Sequence, residues 1–180
     1  GHVLRASSKL TFSSLPAGGG AGGGVVEGTA SLPFDPAGLL LGDSRPIFPG
    51  AAPFDAAIKI TKLTIQHLPF TALGIVPFVR RGVLNGLITA EGTLDRPHAR
   101  ATLDGKQLDF RLIQNVDVVA SAELHRAGLT ADSEIKIGGL DAIQLHGTLR
   151  STAPIASIDW RRAPIVLDAT TKHFDLAKLG

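Results

Sequence analysis

Six histidines, His2, His67, His98, His125, His146 and His173, are the side chains best suited to metal ligation or proton transfer near neutral pH. They stand singly, mostly at the ends of alternating runs and in turns. Neither H-x-x-x-H nor H-E-x-x-H occurs, so nothing marks them as more than surface or turn residues. The carboxylates Asp104, Asp109, Asp117, Asp132 and Glu134 alternate with apolar residues, as on a solvated face, and no two are singled out as a glycosidase pair. Ser7-Ser8 and Ser13-Ser14 lack the G-x-S-x-G elbow that exposes a nucleophile. The glycines of LPAGGGAGGG (15–24) precede neither a Lys-Ser/Thr pair nor a helix, so they suit a linker or hairpin tip better than a phosphate loop. With no cysteine there is neither a disulfide framework nor thiolate chemistry. Arg80-Arg81 and Arg161-Arg162 suit solvated turns or lipid headgroups, and Trp160 a rim or core anchor. The residues therefore predict a non-enzymatic chain with no metal and no cofactor.

The elements that carry these side chains are strands. In LNGLITAEGTLDRPHARATLDGKQLDFRLIQNVDVVASAEL (84–124), Leu84, Gly86, Ile88, Ala90, Gly92 and Leu94 fall on one face. Asn85, Thr89, Glu91 and Thr93 fall on the other, with Leu87 the apolar exception. Asp95-Arg96-Pro97 breaks the run. Ala99, Ala101 and Leu103 resume it, Gly105-Lys106 reads as a turn, and Leu108, Phe110 and Leu112 follow. After Gln114-Asn115, Val116, Val118, Ala120, Ala122 and Leu124 repeat the pattern. That predicts a meander of four strands over this stretch, apolar on one side only.

Strands are also predicted at 3–13, 25–32, 55–66, 129–137, 143–149, 155–160 and 165–171. In DAAIKITKLTIQ (55–66) Ile58 and Ile60 share a face, while Leu63 and Ile65 are one residue out of phase. A bulge near Thr61-Lys62 would reunite them. Leu68–Val79, limited by Pro77, predicts one or two helical turns, and FDLAKL (174–179) another short helix. His125–Gly128 and Gly138-Gly139 read as turns. Residues 1–54 are expected to form an irregular or strand segment with a Gly-rich tip and a Pro-rich stretch of five prolines from Pro33 to Pro53, and residues 55–180 a repetitive β-trough segment.

A net charge of +2 with scattered basic residues argues against a nucleic-acid footprint. Aromatics make up only 5%, so the core is expected to be aliphatic and thin. The uncharged stretch between Lys62 and Arg80 is interrupted by polar residues and prolines and is too short to span a bilayer as a helix. Beginning at Gly1 and ending within a pattern, the chain reads as an excised piece of a larger protein.

Two echoes suggest repetition. HLPFTALG (67–74) and HFDLAKLG (173–180) share H-[LF]-x-[FL]-x-x-L-G, 106 residues apart, each after an alternating strand. Gly-Thr recurs at Gly28-Thr29, Gly92-Thr93 and Gly147-Thr148, each read as following a strand. A strand-rich unit at long period suggests an extended β architecture.

Four pieces in order resemble the TamB family, within the wider AsmA-like proteins that bridge bacterial membranes. They are AAIKITKLTIQHLPFTALGIVPFV, RRGVLNGLITAEGTLDRPHARATLDGKQLDF, the meander to Leu149, and IVLDATTKHFDLAKL. The resemblance covers roughly 55–180. It implies an all-β fold, an extended antiparallel meander sheet curled into an open trough or β-taco, with one or two short helical turns. It also implies a periplasmic location in a full-length protein anchored in the inner membrane. The implied role is lipid transport between inner and outer membranes, or help in outer-membrane assembly. An outer-membrane barrel of the TamA type is an implied partner, through parts of the family not recognisable here.

The physics is compatible: acyl burial, about 0.8 kcal/mol per CH₂, is non-directional and needs no particular polar residue. Phospholipid acyl chains are the expected partner. The expected groove lining is Ile60, Ile88, Leu94, Leu103, Leu108, Phe110, Val118, Leu124, Ile135 and Leu145. The rival expectation is that the same residues pack against a second sheet, in a structural or adhesive β-repeat with a closed core.

Overall fold

The computed structural model describes residues 2–13, 23–34, 50–68, 79–93, 95–125, 128–150 and 164–171. They form one sheet of nine antiparallel strands in sequence order. The strands are β1 (His2–Ser13), β2 (Gly23–Phe34), β3 (Pro53–Thr64), β4 (Val79–Thr93), β5 (Arg96–Phe110), β6 (Val116–His125), β7 (Gly128–Ile137), β8 (Leu140–Arg150) and β9 (Ile165–Thr171). The all-β antiparallel meander predicted by the alternation is thus the observed fold. The sheet is open and uncurled, with β1 and β9 as its edges, where the resemblance implied a curled trough. β2 pairs with β3 from Val25↔Thr61 to Ser31↔Asp55, so the sheet runs unbroken across the boundary expected near residue 54.

Residues 84–124 contain three strands and not four. Gly105-Lys106 is not a turn: β5 continues to Phe110 through a bulge at which Gly105 pairs with Val118 and Leu108 with Val116. One extra residue on β5 restores the apolar phase, and Gln107 takes φ +51 there. The bulge predicted near Thr61-Lys62 is present, between Ile60 and Leu63, with Lys62 at φ +50. Pro97, read as part of a break, is the second residue of β5, opposite Gly92 near the end of β4. Gly28-Thr29 and Gly147-Thr148 lie within β2 and β8 and not after them.

The expected helical turns at 68–79 and 174–179, and the strand at 155–160, fall almost entirely outside the described residues. A single 3₁₀ turn, Ile65–His67, follows β3 directly. Gly138 and Gly139 join β7 to β8 at φ +59 and +81, making the turn predicted there a two-residue hairpin connection.

The buried apolar side chains among the described residues are Leu63, Ile65, Leu108, Val116 and Leu149. Ile65, Leu108 and Val116 cluster, with Val79, Leu84, Phe110, Ile113, Val118, Ile135 and Ile137 packed around them. This cluster lies at the end of the sheet where β3 runs into the 3₁₀ turn and β5 into β6.

Candidate functional site

In an antiparallel sheet, directly paired residues point to the same side, so the register sorts every side chain. One row reads Ser8, Gly28, Ile58, Ile88, Ala101, Ala122, Ala131, Gly147, Leu167 from β1 to β9. The next reads Leu10, Val26, Ile60, Gly86, Leu103, Ala120, Ser133, Leu145, Ala169. Neither contains a charge. On the opposite face the row between them reads Lys9, Glu27, Lys59, Leu87, Thr102, Ser121, Asp132, His146, Asp168. The alternation recognised over residues 84–124 therefore extends across all nine strands, giving one apolar and one polar face.

Large apolar side chains on the apolar face remain open to solvent from one edge to the other. They include Leu4 and Leu10 on β1, Ile58 on β3, Ile88 (41% exposed) on β4, Leu103 on β5, and Ile165 and Leu167 on β9. Between Leu103 and Leu167 the face dips where its residues are small. Ala101, Ala120, Ala122, Ala131, Ser133 and Gly147 help to line a depression of about 290 Å³.

Of the residues expected to line a groove, Ile60, Ile88, Leu103, Leu108, Phe110, Val118, Leu124, Ile135 and Leu145 all lie on this one face. Leu94 lies outside the described residues. The set divides. Leu108 is 4% exposed, and Phe110, Val118 and Ile135 pack around it, so these four belong to the closed end of the face. Ile88 and Leu103 are exposed, and Ile60, Leu124 and Leu145 half-buried. Periodicity could not make this division, because all nine described residues lie on the same face. Ile65 decides it, where the 3₁₀ turn sets its side chain against Leu108 and Val116.

The polar face is laced across strands. Lys9 Nζ lies 2.8 Å from Glu27 Oε1. Glu123 Oε1 meets His98 Nε2 at 2.9 Å and Arg100 at 3.3 Å. Lys106 bridges Asp104 and Asp117, Lys136 pairs with Glu134, and His146 Nδ1 lies 2.6 Å from Asp132. The hydrogen bond to His98, then the Arg100 guanidinium, holds the Glu123 carboxyl below the usual range; Lys9 does the same for Glu27. His146, flanked in register by Asp132 and Asp168, lines a polar depression of about 440 Å³. No group of three or more His, Cys, Asp or Glu side chains suited to a metal ion occurs among the described residues. His98 and His146 serve as cross-strand partners, which sequence reasoning missed because only the register brings Glu123 to His98 or Asp132 to His146.

Among the described residues the fold and face define an open β-sheet with chemically opposite sides. No protein family, curated protein or solved structure matches the chain.

Proposed function

We propose that the apolar face takes up phospholipid acyl chains, and that the chain is a segment of a non-enzymatic lipid conduit of the TamB or AsmA-like kind. One observation carries this reading. A charge-free face continues through nine strands and exposes Ile58, Ile88 and Leu103 at its middle, well away from the strand edges. Soluble monomers rarely leave contiguous apolar patches beyond a few hundred Å² uncovered.

The chemistry asked of the face is modest. An acyl chain laid on it gains from each CH₂ removed from water, whatever the position. The small residues flooring the depression admit a chain without contacts that would arrest it, so binding is loose and movement along the face is cheap. The polar face keeps the sheet in solution. On this reading the segment works in the periplasm, between an inner-membrane anchor and an outer-membrane barrel of the TamA type carried by other parts of the protein. A contribution to outer-membrane assembly follows from the same lipid delivery.

The test is native mass spectrometry with lipid extraction on the chain purified from a Gram-negative periplasm. Phospholipid should co-purify and be lost from Ile88→Asp and Leu103→Asp without loss of the β-sheet signal in circular dichroism. A folded chain that neither co-purifies with phospholipid nor takes it up from added phospholipid vesicles would refute the conduit and favour a structural β-repeat with a covered face.

A further inference from the structure

We infer that, without lipid, a second copy of this chain covers the apolar face, making a two-fold, two-sheet sandwich. The inference rests on the geometry of the face and not on the lipid reading. Nine strands at about 4.8 Å and some ten residues at about 3.3 Å give a face of roughly 1,400 Å², against the roughly 800 Å² per partner of a standard interface. No charge lies in its two central rows, so closure strands none there.

The relief of the face selects the arrangement. Its large residues, Ile58 and Ile88, lie on β3 and β4; its hollow lies over β6 to β8. A two-fold axis parallel to the strands, running between β5 and β6, exchanges the two halves. β3 then lies over β8 of the other copy, β4 over β7, and β5 over β6. Along the central row this sets Ile58 on Gly147 and Ile88 on Ala131, and in the adjacent row Leu103 on Ala120. At the margin Leu167 of β9 meets Gly28 of β2. Along the central row each large side chain faces a small one, while in the adjacent row Ile60 meets Leu145, and the two-fold repeats every contact, as a self-complementary interface requires. Aligned sheets packed about 10 Å apart accommodate this interdigitation.

The test begins with sedimentation velocity on the full 180-residue chain, stripped of lipid and checked by mass spectrometry, over a hundredfold concentration range. A species of twice 18.7 kDa is expected. Because the chain has no cysteine, single-cysteine probes are unambiguous. Ala101→Cys, beside the axis, should cross-link between copies through a short bismaleimide, and Thr102→Cys, on the polar face, should not. Ala131→Trp fills the hollow that receives Ile88 and should weaken the dimer more than tenfold while the circular dichroism is unchanged. A monomer throughout the range overturns the inference, as does cross-linking through Thr102→Cys in preference to Ala101→Cys. A monomer that binds phospholipid overturns the dimer alone; a dimer that takes no phospholipid supports the inference and counts against the conduit alone.

Discussion

Ile88 and Leu108 lie on the same face, yet Ile88 is 41% exposed and Leu108 4%. Substitutions at the two sites should therefore separate lipid binding from folding. Fully burying an isoleucine is worth about 1.5–3 kcal/mol, so the 41% left open at Ile88 leaves roughly 0.6–1.2 kcal/mol for a ligand to recover. Ile88→Ala should weaken the Kd for an acyl probe about three- to eightfold. Ile88→Asp adds the cost of desolvating a carboxylate, several kcal/mol, and should abolish measurable binding. Leu108→Ala removes a side chain from the cluster with Ile65 and Val116, and should cost about 2–5 kcal/mol of stability while the remaining folded fraction binds normally. Binding is read by displacement of a fluorescent dodecanoyl probe, stability by urea unfolding followed in the far ultraviolet. If Ile88→Asp stays folded and binds the probe as tightly as the parent chain, the open face is not where acyl chains go.

Gly128 has φ +145, and a Cβ there would strike the Leu149 carbonyl on β8. Gly128→Ala should therefore cost about 3 kcal/mol in urea unfolding, against about 1 kcal/mol for Gly138→Ala, which has φ +59 and open space. Asp117 Oδ1 accepts the backbone N–H of Gln107 at the β5 bulge, at 2.9 Å. Asp117→Ala should lose about 1–2 kcal/mol and speed hydrogen exchange at the Gln107 amide. Glu123 is held below the ordinary carboxylate pKa by His98 and then Arg100. Its contribution to stability is present above the unfolded-state value, about 4.3, and is lost as pH falls through the depressed folded value. The urea midpoint should fall with acidification below that point, and Glu123→Gln should flatten this part of the profile.

The face was legible in the sequence because alternation needs no knowledge of partners: Leu84, Gly86, Ile88 and Ala90 declare it alone. What failed was punctuation. Leu103 and Leu108 are five residues apart, an odd spacing that a turn or a bulge explains equally well, and Gly105-Lys106 invited the turn. The choice belongs to the neighbours, since Leu84 pairs with Gly105 and Val116 with Leu108, keeping β5 in the sheet through the irregularity. At Thr61-Lys62 the phase error is just as local, but strong alternation on both sides left no room for a turn, and the bulge was readable. The charged ladders were illegible for a related reason: their partners lie on neighbouring strands, 25 residues apart for His98 and Glu123, and only the completed register joins them.

Of the sheet's several register shifts, the bulges at Lys62 and Gln107 use one device. The irregular residue, Lys62 or Gln107, takes a positive φ, and its N–H, turned out of the ladder, donates to a side-chain oxygen of the next strand, Asn85 Oδ1 or Asp117 Oδ1. Each is a costly backbone feature stabilised by its own dedicated acceptor. Each also has the same effect on the faces. Without the extra residue on β3, Leu63 would fall on the polar side; without that on β5, Leu108 and Phe110 would follow. At these two positions the sheet accepts strain that keeps the apolar face in phase toward the end where Ile65, Leu108 and Val116 close it. A sheet needing only to be stable gains little from leaving Ile58, Ile88 and Leu103 uncovered beyond that cluster. A face kept in phase for a ligand or a second copy needs both the continuity and the exposure.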